Sequence, residues 1–224
     1  MIQIPVLNSE GKQVDTLAID ELLLGGEVQH DLLKQAYVRI HANKRQGTVA
    51  TKGRDQVEGS TRKLYKQKGT GNARRGAVRT NIMKGGGVGH RKTPHSWRLD
   101  MPDKMRRLAN RNAILAKAVD GEIKIVDSFT FDKPSTKAFT GLLTALKADK
   151  SVLLALPDTR TSAARSARNI DHVTLTHVDR LNVFDLLNHR YLVVEKAALA
   201  GWLDRAAAQS TGANRELAAG QEVA

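Results

Sequence analysis

The sequence predicts an α/β fold: a mostly parallel sheet covered by helices, with a long extended basic loop inserted between two helices. Two observations lead to this class. In the second half of the chain, short apolar runs rich in β-branched residues alternate with helical stretches, an order typical of parallel strands joined by crossover helices. In the middle of the chain, a basic, glycine-rich segment separates two amphipathic helical patterns.

The first elements come from the N-terminal part of the chain. A strand is predicted from Ile2 to Leu7. A helix is predicted over residues 30–42, because apolar side chains recur there on one stripe at helical spacing, at Leu33, Tyr37 and Ile40.

A second helix is predicted over residues 101–119, with Pro102 and Asp103 as favourable first-turn residues. At 100° per residue its side chains separate into two faces. The face predicted to pack on a core carries Met101, Met105, Leu108, Leu115 and Val119. The outward, basic face carries Arg106, Arg107, Asn110, Arg111 and Lys117.

The second half supplies the alternating elements. Strands are predicted at residues 122–128, 151–157, 172–178 and 190–196, with helical stretches around residues 136–148, 162–168, 183–187 and 196–208. Residues 209–224 lack periodicity, and we expect them to be disordered. The predicted globular α/β domain therefore comprises residues 1–43 and 99–208, and the loop comprises residues 44–98.

The loop carries the charge of the molecule. Residues 43–98 hold 15 of the 36 Lys and Arg residues and two of the 23 acidic residues, so the whole net charge of +13 lies there. Ten of the 18 glycines lie there too, with few apolar side chains, so we expect the loop to be mobile without a partner. The charge predicts a polyanionic partner, either nucleic acid or an anionic membrane surface. If the loop forms a hairpin, each half of it would reach roughly 90 Å when fully extended.

The chemistry of the loop favours RNA. Guanidinium and ammonium groups pair with phosphates, and glycines allow backbone amides to approach phosphates closely. Tyr65, His90, His95 and Trp97 are candidates for stacking on unpaired bases. Packing of Tyr65 or Trp97 under the base of the loop itself is an equally open interpretation.

Other functional classes lack a motif. The chain has no cysteine, which excludes disulfides, thiolate zinc sites and cysteine nucleophiles. The seven histidines are scattered, no nucleophile elbow or phosphate loop occurs, and Arg74 stands where a dinucleotide fingerprint needs its third glycine. The apolar runs are too short to span a membrane. We therefore predict a soluble, cytoplasmic protein that is not an enzyme and has no catalytic residue, metal, cofactor or small-molecule substrate.

The motifs "RQGT" (45–48), "RKLYKQKGTGNAR" (62–74), "GGGV" (85–88) and "MPDKMRRLANRNAI" (101–114) together resemble the bacterial branch of the fourth large-subunit ribosomal protein family. The resemblance extends over about 200 residues. It departs from the family pattern at Asn72, Arg75 and Tyr65, and in the stretch "RTNIMKGGG".

The resemblance implies a structural constituent of the large subunit that binds its large ribosomal RNA and neighbouring ribosomal proteins in the cytoplasm. The loop would reach the interior and help line the nascent-peptide exit tunnel, with its tip at Gln67, Lys68, Gly69, Thr70, Gly71 and Asn72. Phosphate contacts would come from Arg45, Lys52, Arg54, Arg62, Lys63, Lys66, Arg74, Arg75, Arg79, Lys84, Arg91 and Lys92. The alternative is a free RNA-binding regulator or RNA chaperone that uses the same loop.

Overall fold

The computed structural model describes the backbone of residues 1–129, 131 and 133–221, and the side chains as far as residue 208. The chain divides into two compact units. One consists of Met1–His41 with Asp100–Ala224 and is called the globular unit below. The other, Ala42–Leu99, is called the basic arm.

Six strands and seven helices form the globular unit over its described residues. In chain order they are β1 (Ile2–Leu7), β2 (Gln13–Ile19), α1 (Glu21–Leu24), α2 (His30–Asn43, whose last residues enter the basic arm), α3 (Asp103–Val119), β3 (Ile123–Val126), α4 (Thr136–Ala145), β4 (Val152–Leu156), α5 (Ser162–Ala167), β5 (Val173–His177), α6 (Val183–Asn188), β6 (Tyr191–Glu195) and α7 (Lys196–Gln221). A single 3-10 turn, Val178–Arg180, lies between β5 and α6.

The strands form one mixed sheet in the order β2-β1-β3-β6-β4-β5. All neighbouring strands are parallel except β1 and β2, which pair antiparallel. The predicted α/β class with a mostly parallel sheet is therefore confirmed. The edge strand β2 was not predicted, because most of its side chains are exposed and its sequence lacks a clear apolar alternation.

The two faces of the sheet support separate halves of the core. Along β4, Leu153 and Ala155 pack with α2, α3, α6 and α7, whereas Val152, Leu154 and Leu156 pack with α4 and α5. Successive strand side chains point to opposite faces, so a strand covered on both sides reads as a continuous apolar run. Every residue of both core clusters belongs to the globular unit.

Short polar side chains cap the N-termini of α4 and α6. The hydroxyl of Ser135 accepts a hydrogen bond from the amide of Ala138 at the start of α4, at 3.3 Å. Asn182 caps α6 by accepting from the amide of Asp185 at 2.9 Å. These bonds satisfy amides that have no partner within the helix, and they fix where each helix begins.

Two residues of α3 differ from the predicted faces. Lys117, predicted on the outward face, is only 7% exposed, and its ammonium donates to Glu122 at 2.5 Å and to the carbonyl of Arg190 at 2.9 Å. Val119, predicted toward the core, is 61% exposed at the last turn. Helical periodicity assigns a face from neighbouring residues only. Lys117 is buried because its ammonium has partners that this periodicity does not include.

The predicted disorder of residues 209–224 concerns a segment whose side chains lie outside the description. Helix α7 continues to Gln221, the side chains beyond residue 208 are not described, and residues 222–224 lie outside the described residues. The disorder stays a prediction.

Candidate nucleic-acid interface

The basic arm contains no helix or strand among its described residues from 44 to 99. Its two halves are nevertheless joined by hydrogen bonds near its ends. The side chain of Asn43 accepts from the amide of Leu99 at 2.8 Å and donates to the carbonyl of Leu99 at 3.2 Å. The amide of His95 donates to the carbonyl of Gly47 at 2.9 Å. The ends of the arm are therefore held together by the arm's own residues.

Further cross-links continue inward. The amide of Thr51 donates to the carbonyl of Lys92 at 3.0 Å, and its hydroxyl accepts from the amide of Lys92 at 2.8 Å. The amide of Val88 donates to the carbonyl of Lys52 at 2.9 Å. From the ends of the arm inward, the residues of each bonded pair lie closer together in the sequence. This is the pairing pattern of a hairpin, although the arm has no regular strand geometry.

The innermost cross-links define the turn of this hairpin. The amide of Leu64 donates to the carbonyl of Gly76 at 3.1 Å, and the hydroxyl of Tyr65 donates to the carbonyl of Ala73. Residues 66–72 form the turn between them. The six residues predicted for the tip lie in this turn, and all are exposed except the half-buried Thr70.

Two glycines allow the halves of the arm to approach closely. At Gly87, which is buried, an added Cβ atom would lie 2.2 Å from the backbone nitrogen of Arg54. Gly47 has a φ of +69°, and a Cβ atom there would lie 2.0 Å from the carbonyl oxygen of His95. A side chain at either position would collide with backbone, so these glycines serve packing within the arm as well as flexibility.

Trp97 packs within the arm. The guanidinium carbon of Arg45 lies 3.7 Å from the centre of the Trp97 ring, and the His95 ring meets Trp97 edge-on with centroids 4.9 Å apart. Of the two interpretations of Trp97, this geometry favours packing at the base of the arm over stacking on a base.

All twelve predicted phosphate contacts have exposed side chains except Arg79, which is half-buried. Five of them interact with other residues of the arm: Arg45, Lys63, Arg75, Arg79 and Arg91. The other seven make no side-chain hydrogen bond or ion pair with the described residues: Lys52, Arg54, Arg62, Lys66, Arg74, Lys84 and Lys92. The arm therefore presents cations whose charge is not neutralised by the protein.

An ion pair joins Arg91 to Asp55 in the arm. The hydrogen bond from the Arg91 guanidinium holds the pKa of the Asp55 carboxyl below its ordinary value, so Asp55 stays charged at neutral pH. Sequence reasoning assigned no role to Asp55 or Asn43, because their partners lie 36 and 56 residues away in the chain.

The described residues indicate neither a metal site nor a membrane-spanning helix. Within the described part of the chain, no three His, Asp or Glu side chains lie close enough together to hold a metal ion. None of the described helices is both long and apolar enough to cross a bilayer.

Comparison with known families adds a decisive observation. The sequence model of the Ribosomal protein L4/L1 family matches residues 17–205. The chain belongs to this family. The matched range includes the whole basic arm, strands β3 to β6 and the last three residues of β2. The family assignment confirms the resemblance seen in the sequence, and with it the prediction that the chain is not an enzyme.

Individual members of this L4/L1 family match over most of their length. The large ribosomal subunit protein uL4 of Dehalococcoides mccartyi is 40% identical over 198 residues, which cover 88% of this chain and 94% of the relative. The proteins of the same name from Moorella thermoacetica and Alkaliphilus metalliredigens are 38% and 37% identical over 200 and 199 residues. Each alignment covers 89% of this chain, with 97% and 96% of the relatives.

Proposed function

We propose that this protein is a structural constituent of the large ribosomal subunit in the cytoplasm, where it binds large-subunit ribosomal RNA and contacts neighbouring ribosomal proteins. The basic arm is the principal RNA-binding element in this proposal. The tip of its turn, residues 67–72, reaches the interior of the particle and helps line the nascent-peptide exit tunnel. The relatives named above are large ribosomal subunit proteins.

The observation that carries the proposal is the separation of charge between the units. The arm holds the whole excess positive charge of the chain, and seven of its twelve predicted phosphate contacts have no side-chain hydrogen bond or ion pair with the described residues. Pairing with phosphates is favourable for Lys and Arg side chains that have no partner in the protein, since each contact releases condensed counterions.

The hydrogen bonds within the arm add a physical reason for tight binding. An unstructured segment loses about 1 to 2 kcal/mol of backbone conformational entropy per residue when a partner orders it. The cross-links at Gly47, Thr51 and Leu64 restrict the arm before it meets RNA. Because the arm is already partly ordered, binding costs less conformational entropy. The free energy of the contacts with phosphates then contributes more to affinity.

The turn suits a narrow aqueous passage. It carries two exposed ammonium groups, Lys66 and Lys68, beside Gln67, Asn72 and two glycines with positive φ, Gly69 and Gly71. Small and polar groups at a turn occupy little volume and offer no apolar patch to a passing peptide.

Co-sedimentation tests the proposal. Large subunits are pelleted through a high-salt cushion, and the protein is quantified against a known large-subunit protein. We expect a ratio near one to one and a small free pool. A protein that is mostly free of ribosomes would contradict the proposal and favour a free RNA-binding regulator or chaperone.

A further inference from the structure

The cross-links of the basic arm change register between Thr51 and Lys52. Thr51 is bonded to Lys92, but the next residue, Lys52, is bonded to Val88. Residues 89–91 of the second half therefore have no counterpart in the first half, and they form a bulge. A bulge bends the chain and redirects its side chains, and bulges are common beside functional sites.

A cavity of about 370 Å³ opens at this bulge, and its walls include Gly53, Arg54, Asp55, Asn81, Gly89 and Arg91. Two of the glycines make room for the polar side chains. A Cβ atom at the buried Gly53 would lie 2.6 Å from Oδ1 of Asp55 and 2.7 Å from Cδ of Arg91. A Cβ atom at Gly89 would lie 3.0 Å from the amide nitrogen of Asn81.

Asp55 is the unexpected side chain in this cavity. Residues 43–98 carry 15 Lys and Arg residues and only two acids, Asp55 and Glu58. A carboxylate repels phosphate, so phosphate binding alone does not explain an acid among these cations. The position of Asp55 instead suits a ligand group that donates hydrogen bonds.

The Asp55 carboxylate is held ready to accept such bonds. It accepts a hydrogen bond from the Arg91 guanidinium, and this bond holds the pKa of Asp55 below its ordinary value. The group is therefore ionised at neutral pH and acts only as an acceptor. A carboxylate has about four lone-pair positions, so Arg91 leaves positions for the N–H groups of a ligand.

Two further polar groups of the cavity complement this acceptor. The carboxamide of Asn81 and the guanidinium of Arg54 make no hydrogen bond with the described residues. Arg54 is exposed and is one of the predicted phosphate contacts. The bulge thus brings together a carboxylate acceptor, an amide donor and a cation.

We propose that this cavity binds an unpaired guanine of RNA, whose N1–H and N2–H groups donate to Asp55 and whose O6 atom accepts from Asn81. The assignment to RNA rests on the function proposed above. Guanine places two N–H donors beside a carbonyl acceptor on its Watson–Crick edge, whereas adenine, cytosine and uracil do not, and unpaired bases are read on this edge. Arg54 contacts a phosphate of the same strand.

Equilibrium binding of the full-length protein to short single-stranded RNA tests the site. The probes are oligouridylates of equal length that carry one central guanosine, inosine or adenosine. Inosine lacks the N2 amino group, and adenosine lacks both donors to Asp55. We expect the guanosine probe to bind about tenfold more tightly than the adenosine probe, with inosine between them, because paired contacts to a base edge discriminate strongly between bases.

Two variants that remove one negative charge from the arm provide the control. Asp55→Asn should abolish the preference for guanosine, while affinity for the adenosine probe rises because the arm becomes more positive. Glu58→Gln makes the same charge change outside the cavity, and Glu58 forms no ion pair with the described residues, so the preference should remain. Asn81→Ala leaves the ion pair between Asp55 and Arg91 in place, and should reduce the preference without any change in charge.

The outcomes separate this inference from the proposed function. Equal affinity for the three probes would overturn the guanine assignment and leave RNA binding by the arm intact. Equal loss of the preference in Asp55→Asn and Glu58→Gln would place its origin outside the cavity. If Asp55→Asn weakened all three probes alike and Asn81→Ala kept the preference, Asp55 would serve only to orient Arg91, and the assignment would be wrong. If no probe bound at all, the proposed function itself would be contradicted.

Discussion

Single charged residues in this protein have different roles in the two units. In the globular unit, Lys117 is buried and paired with Glu122, and Lys196 pairs with Asp15 across 181 residues of sequence. In the basic arm, most cations lie exposed without a carboxylate nearby. The first kind of cation contributes to folding and the second is available to a partner, because a charge already neutralised within the protein gains less from a phosphate.

The pair between Lys196 and Asp15 makes stability depend on pH. The hydrogen bond from Lys196, followed by that from the amide of Thr16, holds the pKa of Asp15 below its ordinary value of about 3.9. A carboxyl with a lower pKa in the folded chain stabilises it above the ordinary pKa, and this contribution is lost as the pH falls through the folded-state value. We expect Lys196→Met to lower the melting temperature at pH 7 and the difference from the parent to shrink as the pH falls below the ordinary pKa of Asp15.

Thermal unfolding between pH 7 and pH 2.5 measures this prediction. Lys137→Met is the matched control, because Lys137 is exposed and forms no ion pair with the described residues. A difference between Lys196→Met and the parent that stayed constant down to pH 2.5 would contradict the role of Asp15.

Lys68 tests the turn of the arm. Residues 67–72 of the turn are proposed to face a passage for the nascent chain, whereas Lys66 is a predicted phosphate contact. Lys68→Glu should therefore alter nascent-chain or drug passage with little loss of subunit assembly. Translation of a stalling peptide and the yield of assembled subunits are the two measurements. Lys150→Glu, an exposed charge reversal in the globular unit, is the control. A loss of assembly as large as that from deleting the arm would refute the placement of the turn.

At the scale of the element, the arm is held together by bonds between backbone groups rather than by a core. Gly87 lies where Arg54 comes closest, and the neighbouring amide of Val88 donates to Lys52. We expect Gly87→Ala to separate the two halves and weaken RNA binding, since overpacking against backbone costs about 1–3 kcal/mol. Hydrogen exchange of the Val88 amide and RNA affinity measure the effect.

Gly76→Ala is the control for this prediction. A Cβ atom at Gly76 would lie 3.6 Å from the methyl group of Thr80, an ordinary contact, and we expect little change in exchange or affinity. Equal effects of the two substitutions would mean that glycine flexibility, rather than close packing at Gly87, governs the arm.

Arg74 and Arg75 follow the turn after Ala73 and should contact phosphates. Replacing both by Gln should weaken RNA binding and reduce the slope of log affinity against log salt by roughly 1.4–1.8, about 0.7–0.9 for each lost contact. Arg165→Gln with Arg168→Gln removes the same charge from exposed positions at α5 and should leave the slope unchanged. An unchanged slope in the Arg74 and Arg75 variant would count against phosphate contacts there.

At the scale of the whole molecule, folding and RNA binding are assigned largely to different units. Both core clusters lie within the globular unit. The arm holds the excess charge, whereas the rest of the chain has equal numbers of basic and acidic residues. A unit with a complete core can fold without the arm.

Replacing residues 45–98 by a short Gly-Ser linker tests this division. We expect the shortened chain to keep its cooperative thermal transition and to lose most of its affinity for large-subunit ribosomal RNA. The salt slope should fall in magnitude from roughly 8–11, if all twelve predicted contacts form, to a small residual value. Full affinity and slope in the shortened chain would place the principal RNA site in the globular unit, and a chain that fails to fold would contradict an independent core.

The sequence by itself determined the features that depend on local pattern and composition. The strand β4 and the crossover helices follow from runs and periods of neighbouring residues, and the location of the excess charge is read directly from residues 43–98. The family follows from a long motif in the same segment. Such signals involve residues that are adjacent in the chain, and no distant partner is needed to recognise them.

Only the tertiary structure decided the features that depend on distant partners. The antiparallel position of β2 and the burial of Lys117 arise from contacts that no local pattern encodes. No local pattern encodes the burial of the Arg111 Nε atom either, which has no hydrogen-bond partner among the described residues. The same holds for the arm, whose sequence predicts mobility and whose structure shows cross-links such as that between Thr51 and Lys92. Composition measures how much surface a segment can bury, whereas hydrogen bonds between backbone groups can join a segment that has almost no core.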